Sequence, residues 1–181
     1  AASHSYAATF ITVGSIGGVA AAGADANTVM QRSTRAALTG STLGTTTPGF
    51  TGPGVTALDI AANASQSATG TVIGFAVGLG GAAASGIVSS FAATTTATLD
   101  QGLVTAGHVA VNAESRNGFY GFATVAAGGG VGLGSAFTVG TSRNTTLATI
   151  GGGAGQTTLN LNGALAVAAR SINDFTLLAT G

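Results

Sequence analysis

The side chains able to act as acids, bases or ligands are few and far apart. Five carboxylates (Asp25, Asp59, Asp100, Glu114 and Asp174), two histidines (His4 and His108) and five arginines make up the whole inventory. Acid–base chemistry needs two groups poised around one substrate atom, and no two of these carboxylates form a close pair. A calcium loop needs several oxygens at short spacing. The glycine run Gly151-Gly152-Gly153-Ala154-Gly155 lacks the aspartate of the calcium-binding nonapeptide. His4 and His108 each stand alone, and His108 falls on the solvent side of an alternating segment. With no cysteine there is no thiolate and no disulfide framework, and with no lysine there is no P-loop. Serine and threonine abound, but no base lies within reach in sequence. The chain therefore reads as having no catalytic, cofactor or metal site.

Gly78-Leu79-Gly80-Gly81-Ala82-Ala83 fits the relaxed dinucleotide pattern G-x-G-x-x-A. It follows a plausible strand at 71–77, and Asp100 lies about twenty residues on, where such sites place an acid. The same glycine block recurs elsewhere without the acid, and so much Gly and Ala produces the match by composition. The sequons Asn63-Ala64-Ser65 and Asn144-Thr145-Thr146 are read the same way, as strand-end and turn residues.

What must position any functional group is a repeat. Leu58-Asp59-Ile60-Ala61-Ala62-Asn63-Ala64, Val109-Ala110-Val111-Asn112-Ala113-Glu114-Ser115 and Leu165-Ala166-Val167-Ala168-Ala169-Arg170-Ser171 begin 51 and then 56 positions apart. Upstream of each lies a glycine–alanine block: Gly17-Gly18-Val19-Ala20-Ala21, Gly80-Gly81-Ala82-Ala83-Ala84 and Gly129-Gly130-Val131-Gly132-Leu133. Between block and motif sits a threonine strip: Thr34–Leu38, Thr95–Leu99 and Thr146–Ile150. Aromatics precede the block as Tyr6 and Phe10, Phe75, and Phe119, Tyr120 and Phe122. A fixed period of this size means stacked units. The units run over residues 5–67, 68–117 and 118–174, with a fourth starting at 175–181. Both ends fall inside a unit, so the chain reads as a segment of something longer.

One unit carries an insertion at residues 40–54 that holds both prolines of the chain. Proline removes a ladder donor and suits turns, so the segment reads as a surface loop. Insertions in stacked arrays gather on one face, often the binding face. Thr45, Pro48, Phe50 and Pro53 are accordingly the candidate interaction residues.

Glycine costs about 1 kcal/mol and threonine about half that in a helix relative to alanine, and the recurring motif alternates with period two. Leu58, Ile60, Val109, Val111, Leu165 and Val167 point one way; Asp59, Asn63, Asn112, Glu114 and Arg170 point the other. Matching inward columns mean coils stacked in register, so the expected fold is an all-β parallel β-solenoid of about three units of about fifty residues. Sub-repeats of about 17 or 25 residues are absent, which favours one large coil per unit. Glu114 and Arg170 would then stack directly and form an inter-repeat pair.

Only 6% of residues are charged and net charge is zero, which argues against nucleic acid or anionic lipid as a partner. Residues 71–93 and 118–142 are uncharged and long enough to span a bilayer. They are poor in leucine and lack basic flanks and aromatic belts, so membrane spanning is disfavoured. No secretory leader is visible at Ala1–Ser5.

The segments Val131-Gly132-Leu133-Gly134-Ser135-Ala136-Phe137-Thr138-Val139, Asn144–Gly151 and Gly163–Ser171 resemble the repeats of giant bacterial filamentous adhesins, of the leukotoxin-like and haemagglutinin-like secreted type. The resemblance spans essentially the whole chain, most sharply from Gly118 onward, and the first unit departs most through its proline-containing insertion. It implies a secreted or surface-held β-helical stalk or filament, without enzymatic activity, used in attachment. Its partners would be itself, through the solenoid edges, and host-surface or matrix glycans or proteins. An alternative from another class is a glycan- or ice-binding module. Its contact would be a flat threonine-rich face, motivated by Thr94-Thr95-Thr96 and Thr45-Thr46-Thr47.

Overall fold

The computed structural model describes residues 1–44 and 54–181. Every regular element among them is a strand: β1 (Ala2–Ile16), β2 (Val19–Thr39), β3 (Thr42–Leu43), β4 (Val55–Asp100), β5 (Leu103–Ile150), β6 (Thr158–Leu161) and β7 (Leu165–Thr180). All pairings are parallel, and all strands belong to one sheet wound on itself. The fold is a parallel β-solenoid.

Each repeat is one turn of the winding. Leu58 lies beside Val109, and Val109 beside Leu165. Thr34, Thr95 and Thr146 likewise form one column. Like residues stack because each coil offers the next the same pleat and the same space.

The cross-section is a flattened loop with two long walls. The first wall holds β1, residues 57–77, residues 108–128 and β7. The chain then turns at a narrow tip and returns along the second wall, made of β2, residues 80–100 and residues 131–150. At the opposite, broader edge a short third wall stacks β3, residues 103–106 and β6.

The tip turn is built on Gly17, Gly78 and Gly129, which lie in one column. The Gly17 N–H donates to Val77 O at 3.0 Å, and Gly78 is the register partner of Gly129. Gly129 has φ 132°, and a side chain there would strike the Gly78 carbonyl. This shifts the glycine blocks by two residues from the alignment drawn on sequence: Val19 pairs with Gly80, and Gly80 with Val131. An even shift leaves each side chain on its expected face. Low-complexity Gly–Ala sequence sets parity there, and the turn sets register.

The walls pack through three clusters. At the tip, Ala20, Ala76, Ala83 and Val125 allow close approach. In the middle, Val72, Ile87, Phe91 and Phe119 fill a wider space, with Phe91, Phe119 and Phe175 in tilted and edge contacts at centroid distances of 5.6–6.3 Å. Towards the broad edge lie Ile60, Leu99, Val104, Val109 and Val111. The expected aromatic repeat holds only in part. Phe10 and Phe122 share an outward column through Thr71, and Phe119 and Phe175 an inward one, while Phe75 sits over Gly14 on the outer surface.

A polar seam separates the middle cluster from the broad-edge one. On the first wall it comprises the columns Ser3, Ala64, Ser115, Ser171 and Ser5, Gln66, Asn117, Asn173. The columns Arg32, Ala93, Asn144 and Thr34, Thr95, Thr146 face them from the second wall. Asn117 Nδ2 donates to Ser142 Oγ at 2.8 Å and to Asn144 Oδ1 at 2.9 Å. Arg32 donates to the His4 carbonyl at 2.9 Å and to the Ser5 hydroxyl. Gln66, 1% exposed, has no partner for either amide atom. The inward-facing expectation holds for Ile60, Val109 and Val111, which are buried, and for Leu58, which packs against the broad-edge cluster. Leu165 and Val167 continue the inward columns but remain 50% and 47% exposed. Across the interior β7 meets the second wall through its middle, where Ser142 donates to Asn173 and Asn144 to Ser171 and Phe91 packs on Phe175.

Candidate functional surfaces

The candidate loop residues Thr45, Pro48, Phe50 and Pro53 lie outside the described residues. Its base is well defined. Leu43 pairs with Val104 and Val55 pairs with Ala106, so residues 44–54 stand where the next coil has Thr105 alone. Gly44 and Gly54 have φ 88° and 63°, and a side chain on either would meet the Thr105 carbonyl. Both glycines are thus required for the chain to leave and rejoin the ladder at one point. This narrows the insertion drawn on sequence. Residues 40–43 belong to the ladder: Gly40 N–H donates to Asp100 O, and Leu103 N–H to Ser41 O, both at 3.1 Å.

A second insertion lies at the same edge. Ile150 pairs with Leu99 and Thr158 with Leu103, so residues 151–157 replace 100–102 of the coil below. Asp100 organises this glycine turn: its Oδ1 accepts from Gly153 N–H at 3.2 Å and from Thr157 Oγ1 at 3.5 Å. Thr157 Oγ1 also accepts from the Gln101 N–H at 2.9 Å, and Gln101 has φ 52°. The carboxylate that seemed to complete a dinucleotide motif is thus bound to a turn. Gly78–Ala83 forms the tip and runs on as strand, without the helix N-terminus a pyrophosphate site uses.

On the first wall the outward columns near the N-terminal end are polar. Asn63, Glu114 and Arg170 are successive register partners, as are His4, Ser65 and Arg116. They surround a shallow groove lined by His4, Asn63, Ser65, Glu114 and Arg116. Glu114 stacks beside Arg170, yet its carboxylate bonds Arg116. Arg116 stands two residues along the same strand and so on the same face. A second hollow lies further along, between Tyr6 and Tyr120, floored by Ser67, Gly118 and Thr69 and bordered by Asp174 and Thr176. Tyr6 Oη lies 2.8 Å from Thr69 Oγ1, and the two tyrosines are 65% and 47% exposed.

The second wall carries the threonine strip outward as Thr94 beside Thr145 and Thr98 beside Thr149. The column between them reads Arg35, Thr96, Leu147, so the array is two coils deep and interrupted. Thr95 points inward and is fully buried. Asn63 of the first sequon is exposed on a strand; Asn144 of the second points into the polar seam and donates to Ser171 Oγ at 3.0 Å.

Among the described residues no three His, Cys, Asp or Glu side chains gather as a metal-binding group. No helix among them is long and apolar enough to cross a membrane. No protein family, curated protein or solved structure matches this chain.

Proposed function

We propose that this chain is a structural segment of an extracellular bacterial fibre or surface adhesin, serving as a stiff stalk for attachment. The observation that carries the reading is the ladder itself. β4 and β5 pair almost residue for residue from Val55 to Ile150, so hydrogen bonds run along one axis throughout the molecule. Such a rod lengthens by adding coils and needs few charges, because backbone pairing and small-residue packing supply its cohesion. The two insertions at the broad edge supply variable surface on a constant shaft. Electron microscopy of the purified native material tests this. Thin rods or filaments with the solenoid's cross-section are expected; compact particles with no long axis sink the reading.

The hollow between Tyr6 and Tyr120 favours a second reading, a glycan contact on the first wall. Exposed tyrosine rings beside hydroxyls and a carboxylate suit a sugar, which offers an apolar ring face and hydroxyl groups. Glycan-array binding that is lost in Tyr6→Ala and Tyr120→Ala is expected; unchanged or absent binding removes this reading. The interrupted threonine columns give less support to recognition of a flat lattice such as ice.

A further inference from the structure

The outer face of the first wall changes character along its length. Towards the broad edge its columns carry His4, Glu114, Arg116 and Arg170. From the column Ala8, Thr69, Tyr120, Thr176 onward to the tip, no outward residue of this wall is charged. Aromatic rings take over. Tyr6 stands at the start of this stretch, Tyr120 in the column of Ala8, Phe122 in that of Phe10, and Phe75 in that of Gly14. Between the rings stand the hydroxyls of Thr69, Thr71 and Thr124. A contiguous run of rings left outward marks a contact surface.

The rings are laid on the wall. A side chain at Gly14 would collide with Cζ, Cε1 and Cε2 of Phe75, all three at closely similar separations. That position is beneath the ring face and not beyond its edge, so Phe75 lies face down on Gly14 and turns its other face to solvent. Tyr6 is also drawn across the wall: its Oη is 2.8 Å from Thr69 Oγ1, one coil up and two residues along. Phe75, Tyr120 and Phe122 each stand on a strand paired on both sides, so the arrangement belongs to the shaft.

Resting on the glycan reading, we propose that this face is a stacking platform for an extended, uncharged polysaccharide whose sugar rings present flat C–H faces, as β-linked glucans and chitin do. From the column of Tyr6 to that of Gly14 is eight residues, or about 26 Å along the strands, and the rings spread over three coils, about 10 Å across. That is a long, narrow band, the shape of a polymer segment lying along the wall. Each exposed ring face takes an apolar sugar face, and the threonines between them exchange hydrogen bonds with the sugar hydroxyls. The charges select the polymer. No cation stands on the platform to hold an anionic chain, and Asp174, at its border beside Gly118, repels one. A lipid surface would instead favour basic residues around the rings. The ladder fixes the backbone beneath the rings before the ligand arrives, which lowers the ordering cost of binding.

Depletion from solution by insoluble cellulose and chitin powders tests the proposal, with alginate beads and phosphatidylcholine vesicles as contrasting probes. The expected result is retention by cellulose or chitin, little changed by salt, and none by alginate or the vesicles. Phe75→Ala combined with Phe122→Ala should weaken retention at least about tenfold, because two stacking faces are lost. Both side chains point outward, so the strand-type circular dichroism should be unchanged. Phe10→Ala removes a ring that is 71% exposed and should weaken retention severalfold at a position with little part in packing. Equal retention by alginate or by the vesicles overturns the proposal, as does retention on the powders that none of these replacements weakens. Soluble oligosaccharides bound through Tyr6 and Tyr120, with no retention on either powder, would overturn the platform and leave the glycan reading standing. Binding to neither the powders nor soluble sugars would remove both.

Discussion

Val111 and Asn112 are neighbours in sequence with opposite surroundings. Val111 is fully buried in the broad-edge cluster, whereas the Asn112 side chain is on the outward pleat. Val111→Asp would bury an unpaired charge and is expected to cost at least about 3 kcal/mol. Asn112→Asp should stay within about 0.5 kcal/mol, as surface changes do. Thermal melts of the two variants check this, and equal effects would refute the alternation. Gln66 and Asn117 make a second contrasting pair, one above the other in the polar seam. Asn117 holds Ser142, Asn144 and Asn173, so Asn117→Leu should destabilise by about 1–3 kcal/mol through the partners it strands. Gln66 has neither amide atom paired, so Gln66→Met, similar in shape, should raise the melting temperature. A fall in both variants would mean that the Gln66 amide is satisfied in solution.

The strand elements repeat faithfully, and the connections at the broad edge differ from coil to coil. Because the ladder holds through Leu43 and resumes at Val55, the segment that can be excised is 45–54. Gly44 is then left in the place of Thr105. Loop entropy changes slowly with length, so this deletion should keep the melting temperature within a few degrees. Removing 41–53 instead takes away β3 and its pairing with Leu103 and Val104, and a clear loss of stability is expected. Circular dichroism melts of the two deletions separate the cases. The insertion was legible in the sequence from its prolines and its extra length. Its true boundaries were not, because Gly40–Leu43 looks as loop-like as the residues that follow. Only the register shows that those four positions continue the wall.

At the scale of the whole molecule, stability is graded along the axis. The second coil has a strand above and below it on both walls, whereas among the described residues β1, β2, 131–150 and β7 are each paired along one edge. In a solenoid, cohesion is roughly a sum of nearest-neighbour terms. Amide exchange in dilute solution should therefore be slowest around Val72, Ile87, Phe91 and Val109, and faster by orders of magnitude in β7. Uniform exchange along the chain would show instead that it unfolds as one unit.

The sequence alone determined the class of fold, the facing of the strands and the length of one turn. All three follow from residue types spaced along a single chain: small and β-branched residues, period-two alternation, and a motif returning about every fifty positions. Contacts between coils and across the interior were decided only in the tertiary structure. These include the two-residue shift of the glycine blocks, the preference of Glu114 for Arg116 over its stacked neighbour Arg170, and the role of Asp100 in a glycine turn. The polar seam is of the same kind. Ser, Asn, Gln and Thr on separate strands become one structure only when the two walls close on each other, and no local pattern records which wall position will face which.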